Sequence, residues 1–157
     1  YKEREAAKIP DHVRNYFKYL EGMLGIEDMS EKKMLDQSAR VYNLERVIAR
    51  MLGYGTKKDD IAPYRAMGPV TKEEYESRSE RYDKQLREIL KVDTTGKTTE
   101  EKMEILRKHR ESQYKQLMDT VYKRRGWTNN GVPKISRLKE LGIDKPEIVK
   151  VIEKDQE

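Results

Sequence analysis

The sequence has 157 residues, 40% of them charged, yet its net charge is only +5. Leu, Ile, Val and Phe together supply 31 residues; a small apolar share with mixed-sign charge points to long, solvent-exposed helices, whereas disorder needs a high net charge as well. No run of about 18 apolar residues exists, which excludes a membrane-spanning helix, and the absence of cysteine excludes disulfides, iron–sulfur ligation and a thiolate zinc site within the chain.

The chain opens on Tyr1 rather than Met, with no signal-peptide core behind it. The expectation is therefore a fragment or processed piece of a cytoplasmic protein. The first helix is predicted over residues 11–25, where Val13, Tyr16, Phe17, Leu20 and Leu24 share one face and Gly25 offers a left-handed stop. Ser30 is a candidate N-cap for the next helix. That helix carries Met34, Val41, Leu44, Ile48 and Met51 on one stripe and ends at Gly53.

Residues 53–70 break the pattern with three glycines, Pro63, Pro69 and the run Lys57-Lys58-Asp59-Asp60. A loop of this length is usually functional or packed on a partner. Thr71 with Glu74 forms a capping box that opens a helix to about Val92, with Tyr75, Tyr82, Leu86 and Ile89 inward. Thr98 with Glu101 opens another to Arg125, with Met103, Leu106, Leu117 and Val121 inward. The short turn from Asp93 to Lys97 predicts an antiparallel hairpin of these two helices.

Gly126 ends the hairpin. The stretch from Trp127 to Pro133 reads as a turn-rich loop, because Asn130-Gly131 favours positive backbone angles. A short helix over Ser136–Leu141 stops at Gly142, and Asp144, Pro146 and Glu147 open a last one. Residues Lys154 to Glu157 are expected to fray. The predicted fold is all-α and irregular: helices in 1–52, a long Gly/Pro loop in 53–70, a long helical hairpin in 71–125, and a terminal loop with short helices in 126–157.

Chemistry-bearing motifs are few. There is no Gly-rich phosphate loop and no nucleophile elbow. His12 and His109 stand far apart and read as surface residues. Asp59-Asp60 is an acidic pair that could serve acid–base work if buried, although a solvated turn or a backbone cap is the plainer reading. The basic run Lys123-Arg124-Arg125 beside Trp127 has the composition of a nucleic-acid contact. Acids interleave with bases along the helices, however, and a nucleic-acid groove needs segregated positive charge. Ten tyrosines against one phenylalanine suggest rings at a core rim with wet hydroxyls.

Three stretches in order carry a resemblance. They are Arg40-Val41-Tyr42-Asn43-Leu44-Glu45-Arg46; Gly53-Tyr54-Gly55-Thr56-Lys57-Lys58-Asp59-Asp60 with Pro63 and Arg65 close behind; and Tyr122-Lys123-Arg124-Arg125-Gly126-Trp127 followed by Asn130-Gly131-Val132-Pro133 and Leu138-Lys139-Glu140-Leu141-Gly142. Together the chain resembles the C-terminal end of the aldehyde:ferredoxin oxidoreductase family, tungsten- or molybdenum-dependent enzymes with a bis-pterin (molybdopterin-type) cofactor and a [4Fe–4S] cluster. Residues 66–119 then read as a helical insertion.

The resemblance implies a non-catalytic helical domain that packs against upstream domains of a parent enzyme, the parent passing electrons to ferredoxin or a similar carrier. It assigns no catalytic, cofactor or metal residue here. Tyr54, Asp59, Asp60 and Arg65 are the candidate loop residues, either near a substrate channel or, for Asp60 and Arg65, as a structural pair that fixes the loop. A benzoyl-CoA-reductase-like branch of the family and an independent basic helical binding module are the alternatives. A domain that completes its burial elsewhere should also show exposed apolar side chains around residues 30–52.

Overall fold

A computed structural model describes residues 10–156; Tyr1, whose identity bears on the fragment expectation, lies outside them. The chain is all-α: seven α-helices, and no strand among the described residues beyond one isolated bridge between Trp127 and Pro133. It divides into two compact units. One comprises residues up to Gly55 together with Arg125 onward; the other is the continuous stretch Thr56–Arg124.

In the discontinuous unit, α1 spans Pro10–Leu24 and α2 spans Glu31–Met51. Both boundaries follow the local chemistry. Gly25 adopts φ +63°, the left-handed stop that glycine takes without steric cost. The Ser30 hydroxyl accepts the Lys33 amide at 3.2 Å, capping α2. Helices α6 (Ile135–Glu140) and α7 (Pro146–Ile152) follow the Trp127–Pro133 loop. Pro146 sits in the first turn of α7 as expected, but the cap residue is Lys145, which makes no side-chain cap bond, so Asp144 does not cap this helix.

Val47, Val132, Leu138 and Ile152 form the core, with Ile135, Ile143, Ile148 and Val151 packed on it. Burial of each such side chain stabilises by about 1.5–3 kcal/mol. The predicted stripe of α2 is therefore rotated: Val47 is buried, whereas Val41, Ile48 and Met51 are more than half exposed. Leu52 and, on α1, Tyr16, Tyr19, Met23 and Leu24 are exposed too, so apolar side chains face solvent within residues 30–52, as expected, and also along α1.

The terminal residues do not fray up to the last described position. Residues Glu153–Asp155 form a 3₁₀ turn. Arg50 donates to Asp155 Oδ2 at 2.9 Å. The Gln156 side chain accepts the Ile135 amide at 2.9 Å and donates to the Pro133 and Ile152 carbonyls. It thereby satisfies orphan groups at a helix start and a helix end that would otherwise need water.

In the continuous unit, the expected 71–92 helix is broken into α3 (Lys72–Glu76), α4 (Ser79–Lys84) and a π-helical turn (Gln85–Ile89). Ser77 explains the first break, because its hydroxyl donates to the Glu74 carbonyl at 2.9 Å and competes with the helical ladder. The long α5 spans Thr99–Arg125 and its capping box is reciprocal: Thr98 N donates to Glu101 Oε2 at 2.7 Å and Glu101 N to Thr98 Oγ1 at 3.2 Å.

Tyr75, Tyr82, Leu86 and Leu106 form the core of this unit, and the Tyr75 and Tyr82 rings stack at 5.1 Å. Tyr75, Tyr82 and Tyr122 are thus core residues, not rim residues. The expected hairpin forms between the 79–89 stretch and α5, where Lys102 pairs with Asp83, Arg110 reaches Gln85 at 3.2 Å and Leu86 shares a core with Leu106; only α3 departs from it. In an unbroken antiparallel pair Lys72 would lie far along the partner helix, but it pairs with Glu100, next to the Thr99–Glu76 contact at the start of α5. The break at Ser77 lets α3 fold back to that end. Ile89 and Leu117, expected inward, are about 60% exposed; for Ile89 the π turn and the break rotate the apolar face away from the simple 3.6-residue pattern.

Candidate functional site

The loop that carried the sequence-level candidates begins in the discontinuous unit. Tyr54 is half exposed; its amide donates to the Ala49 carbonyl at 3.1 Å and its own carbonyl accepts Arg50 at 3.4 Å. Gly55 follows at φ +87°, and a Cβ there would lie 2.8 Å from Ala49 Cβ. Both the angle and the close approach require glycine.

The remainder of the loop belongs to the continuous unit. Asp59 Oδ2 accepts both the Thr56 amide and the Thr56 hydroxyl at 2.8 Å, a side-chain turn that closes the chain locally. The Asp60 carboxylate accepts the Tyr122 hydroxyl, and its carbonyl accepts the Tyr114 hydroxyl at 2.9 Å. Lys57 pairs with Asp119. Arg65 reaches Glu74 at 3.2 Å. The structural pairing anticipated between Asp60 and Arg65 does not form; each is held by a different element.

The residue that organises this loop is Arg107 on α5. Only 7% exposed, it donates to the Tyr64 carbonyl at 2.7 Å and the Pro69 carbonyl at 3.1 Å, and lies 3.5 Å over the Tyr64 ring. The planar guanidinium suits this use: two donors diverge in a fixed fork while the flat face stacks on an aromatic. No sequence signal marks Arg107 among its charged neighbours. His109, also read as a surface residue, is half-buried; His12 is exposed.

The first and third motif stretches meet inside the discontinuous unit. Trp127 Nε1 donates to Asn43 Oδ1 at 3.0 Å, and Asn43 Nδ2 donates to the Ala39 carbonyl at 2.8 Å. Arg40 Nε reaches the Leu141 carbonyl and Arg46 Nε the Gly131 carbonyl, both at 2.8 Å. The Trp127 ring lies 4.9 Å from the Arg46 guanidinium and 5.3 Å from that of Arg125, which also covers Tyr42 at 4.3 Å. Motif residues four or more elements apart in reading order are thus one clasp. The Trp127 indole ends on a buried asparagine and the Arg40 and Arg46 Nε donors on backbone carbonyls, an arrangement that fixes a loop. The basic run with Trp127, read for nucleic acid, has its last arginine and its indole engaged in this clasp.

A second polar cluster lies in the continuous unit. The Tyr75 hydroxyl donates to Asp83 Oδ1 at 2.6 Å, and Lys102 Nζ stands 3.1 Å from the same carboxylate. Burial pushes Asp83 up, but the Tyr75 hydroxyl and the Lys102 ammonium outweigh it and hold the carboxyl below its ordinary value. Burial first, then the bond to Asp83, pushes the Tyr75 phenol up.

The folded-state pKa of Asp83 therefore lies below the unfolded value of about 3.9. Its contribution is complete above that value and is lost as pH falls through the folded pKa. The Asp83→Asn variant is expected to be less stable than the parent by about 1 kcal/mol at pH 7. Thermal melts at descending pH should show the gap narrowing as the pH falls below the ordinary carboxylate range; a gap that stays constant through the whole acid descent would exclude the mechanism.

Among the described residues there is no group of three or more His, Cys, Asp or Glu that could hold a metal ion, and no helix is long and apolar enough to cross a membrane. A family model described as "Aldehyde ferredoxin oxidoreductase, domains 2 & 3" matches residues 5–143, running through the 66–119 segment as well as the three motif stretches. No curated protein and no solved structure matches the chain.

Proposed function

Because the chain belongs to the aldehyde ferredoxin oxidoreductase family, we propose that it is the helical C-terminal part of a tungsten- or molybdenum-pterin oxidoreductase, supporting the cofactor-bearing parts of the parent enzyme. The parent would convert an aldehyde and water to a carboxylic acid, two protons and two electrons, the electrons passing through an iron–sulfur cluster to ferredoxin or a similar carrier. The match over residues 5–143 is the observation that carries this reading.

The donor set of the chain does not fit the cluster or a metal centre: the sequence has no cysteine, and the described residues bring no three metal-ligating side chains together. The proposed contribution of this chain is accordingly mechanical. The Trp127 clasp and the Arg107-fastened loop with Asp59, Asp60 and Arg65 give fixed surfaces, and the exposed apolar residues of α1 and α2 are those that the other domains would cover.

The coding sequence upstream of Tyr1 tests the reading. An open frame bearing C-x2-C-x3-C supports it; an in-frame stop followed by a start codon at this point overturns it. Elemental analysis of the purified 157-residue chain is expected to find tungsten, molybdenum and iron far below one atom per chain. A stoichiometric amount of any of them would refute the supporting role.

A further inference from the structure

We propose that the cavity between the 57–67 stretch and α5 is a ligand site for a small zwitterion with an apolar body, the chemical class of a free apolar α-amino acid. The proposal concerns this chain alone and stands or falls independently of the metal chemistry of a parent enzyme. The cavity measures about 440 Å³, in the range of small-molecule sites. Its apolar lining includes Ile61, Met67 and Met118, and the rings of Tyr64 and Tyr114 stand beside them.

The chemistry that selects the ligand is the state of the charges. Glu111 and Lys115 both line the cavity. They stand four residues apart on α5 with the glutamate first, the spacing and order that ordinarily make a helical ion pair. The preceding pair on the same helix, Glu104 and Lys108, does close, at 3.3 Å. Glu111 and Lys115 do not, and neither has another hydrogen-bond or ion-pair partner among the described residues. The other two charged residues of the lining are engaged: Lys57 by Asp119, and Asp60 by the Tyr122 hydroxyl.

What remains is one anion and one cation facing one apolar cavity. A ligand whose ammonium meets Glu111 and whose carboxylate meets Lys115 satisfies both, while its side group takes the Met and Tyr surface. A simple carboxylate or a simple amine leaves one group unmatched. The loop wall is already fixed, since Arg107 holds the Tyr64 and Pro69 carbonyls and Tyr114 holds the Asp60 carbonyl. Little ordering is left for the ligand to impose, which favours affinity.

Calorimetric titration of the 157-residue chain with free phenylalanine, 3-phenylpropionate and phenethylamine tests this. Phenylalanine is expected to bind at least about tenfold more tightly than either singly charged analogue, the weight of one charge-assisted hydrogen bond. In Glu111→Gln the preference over 3-phenylpropionate should vanish; in Lys115→Gln the preference over phenethylamine should vanish. Equal binding of all three probes by the parent chain overturns the proposal, as does no binding at ~10 mM phenylalanine, or unchanged preferences in both variants. The comparison of probes on the parent chain needs no variant, so the outcome does not depend on how either substitution folds.

Discussion

Replacing Trp127 with alanine is expected to cost the discontinuous unit about 4 kcal/mol, more than the loss of any other single side chain in that unit. The ring is 7% exposed, so its removal opens a cavity of aromatic size. Its Nε1–H bond to Asn43 goes too, leaving the buried asparagine oxygen without that donor, which adds a desolvation penalty. The guanidiniums of Arg46 and Arg125 lose the aromatic face they share. Native-state hydrogen exchange reads the effect locally: amides of residues 43–47 and 138–141 should exchange faster by about three orders of magnitude. Trp127→Phe keeps most of the volume and should lose only about 1–2 kcal/mol. An alanine variant within about 1 kcal/mol of the parent would show that the clasp is not the keystone of the unit.

Arg107→Ala is the second large expected effect, about 3 kcal/mol in the continuous unit. Two backbone carbonyls, of Tyr64 and Pro69, lose their donors together, and the Tyr64 ring loses the cation over it. Relief from burying a charge offsets part of this cost, which is why the figure is not larger. Arg107→Lys should restore less than half, because an ammonium has no planar fork to span both carbonyls while stacking on the ring. Limited proteolysis offers a direct readout. The parent should resist cleavage within residues 64–69, whereas the alanine variant should be cut there first. Equal resistance of the two would rule out the fastening role of Arg107.

Local chemistry was readable: Ser30, Thr98 and the left-handed Gly25 mark boundaries through bonds that span three or four residues, and those boundaries hold. The all-α fold follows from the same signals. What could not be read depends on contacts far along the chain. Ser77 breaks a helix by a bond whose alternative, a continued ladder, fits the sequence equally well. Val47 rather than Val41 or Ile48 is buried, because Val132, Leu138 and Ile152 cover that side, and nothing within α2 says so. Asn43 did carry a faint signal, a poor helix former in mid-helix beside the apolar stripe. Its reason appears only with Trp127. In the loop, the side-chain turn of Thr56 and Asp59 was within reach of the plain capping reading. The partners of Asp60 were not, since Tyr114 and Tyr122 lie more than fifty residues away.

The division of the chain into a discontinuous and a continuous unit also sets a schedule for synthesis. A ribosome releases α1 and α2 ahead of the rest of the two units, but the side chains that cover Val47 and bind Asn43, and the carbonyls that receive Arg40 and Arg46, lie beyond residue 126. Until those residues emerge, α2 has neither its core nor its clasp. The stretch Thr56–Arg124 contains all of its own core and emerges whole in the interval, so it is able to fold while its predecessor waits. Its folding also shortens the span that the chain must close to bring α2 to Trp127, lowering the entropy cost of those distant contacts. α1 and α2 are thus expected to complete their packing after the stretch that follows them, although they are translated first, and their exposed apolar side chains leave them open to aggregation in that interval.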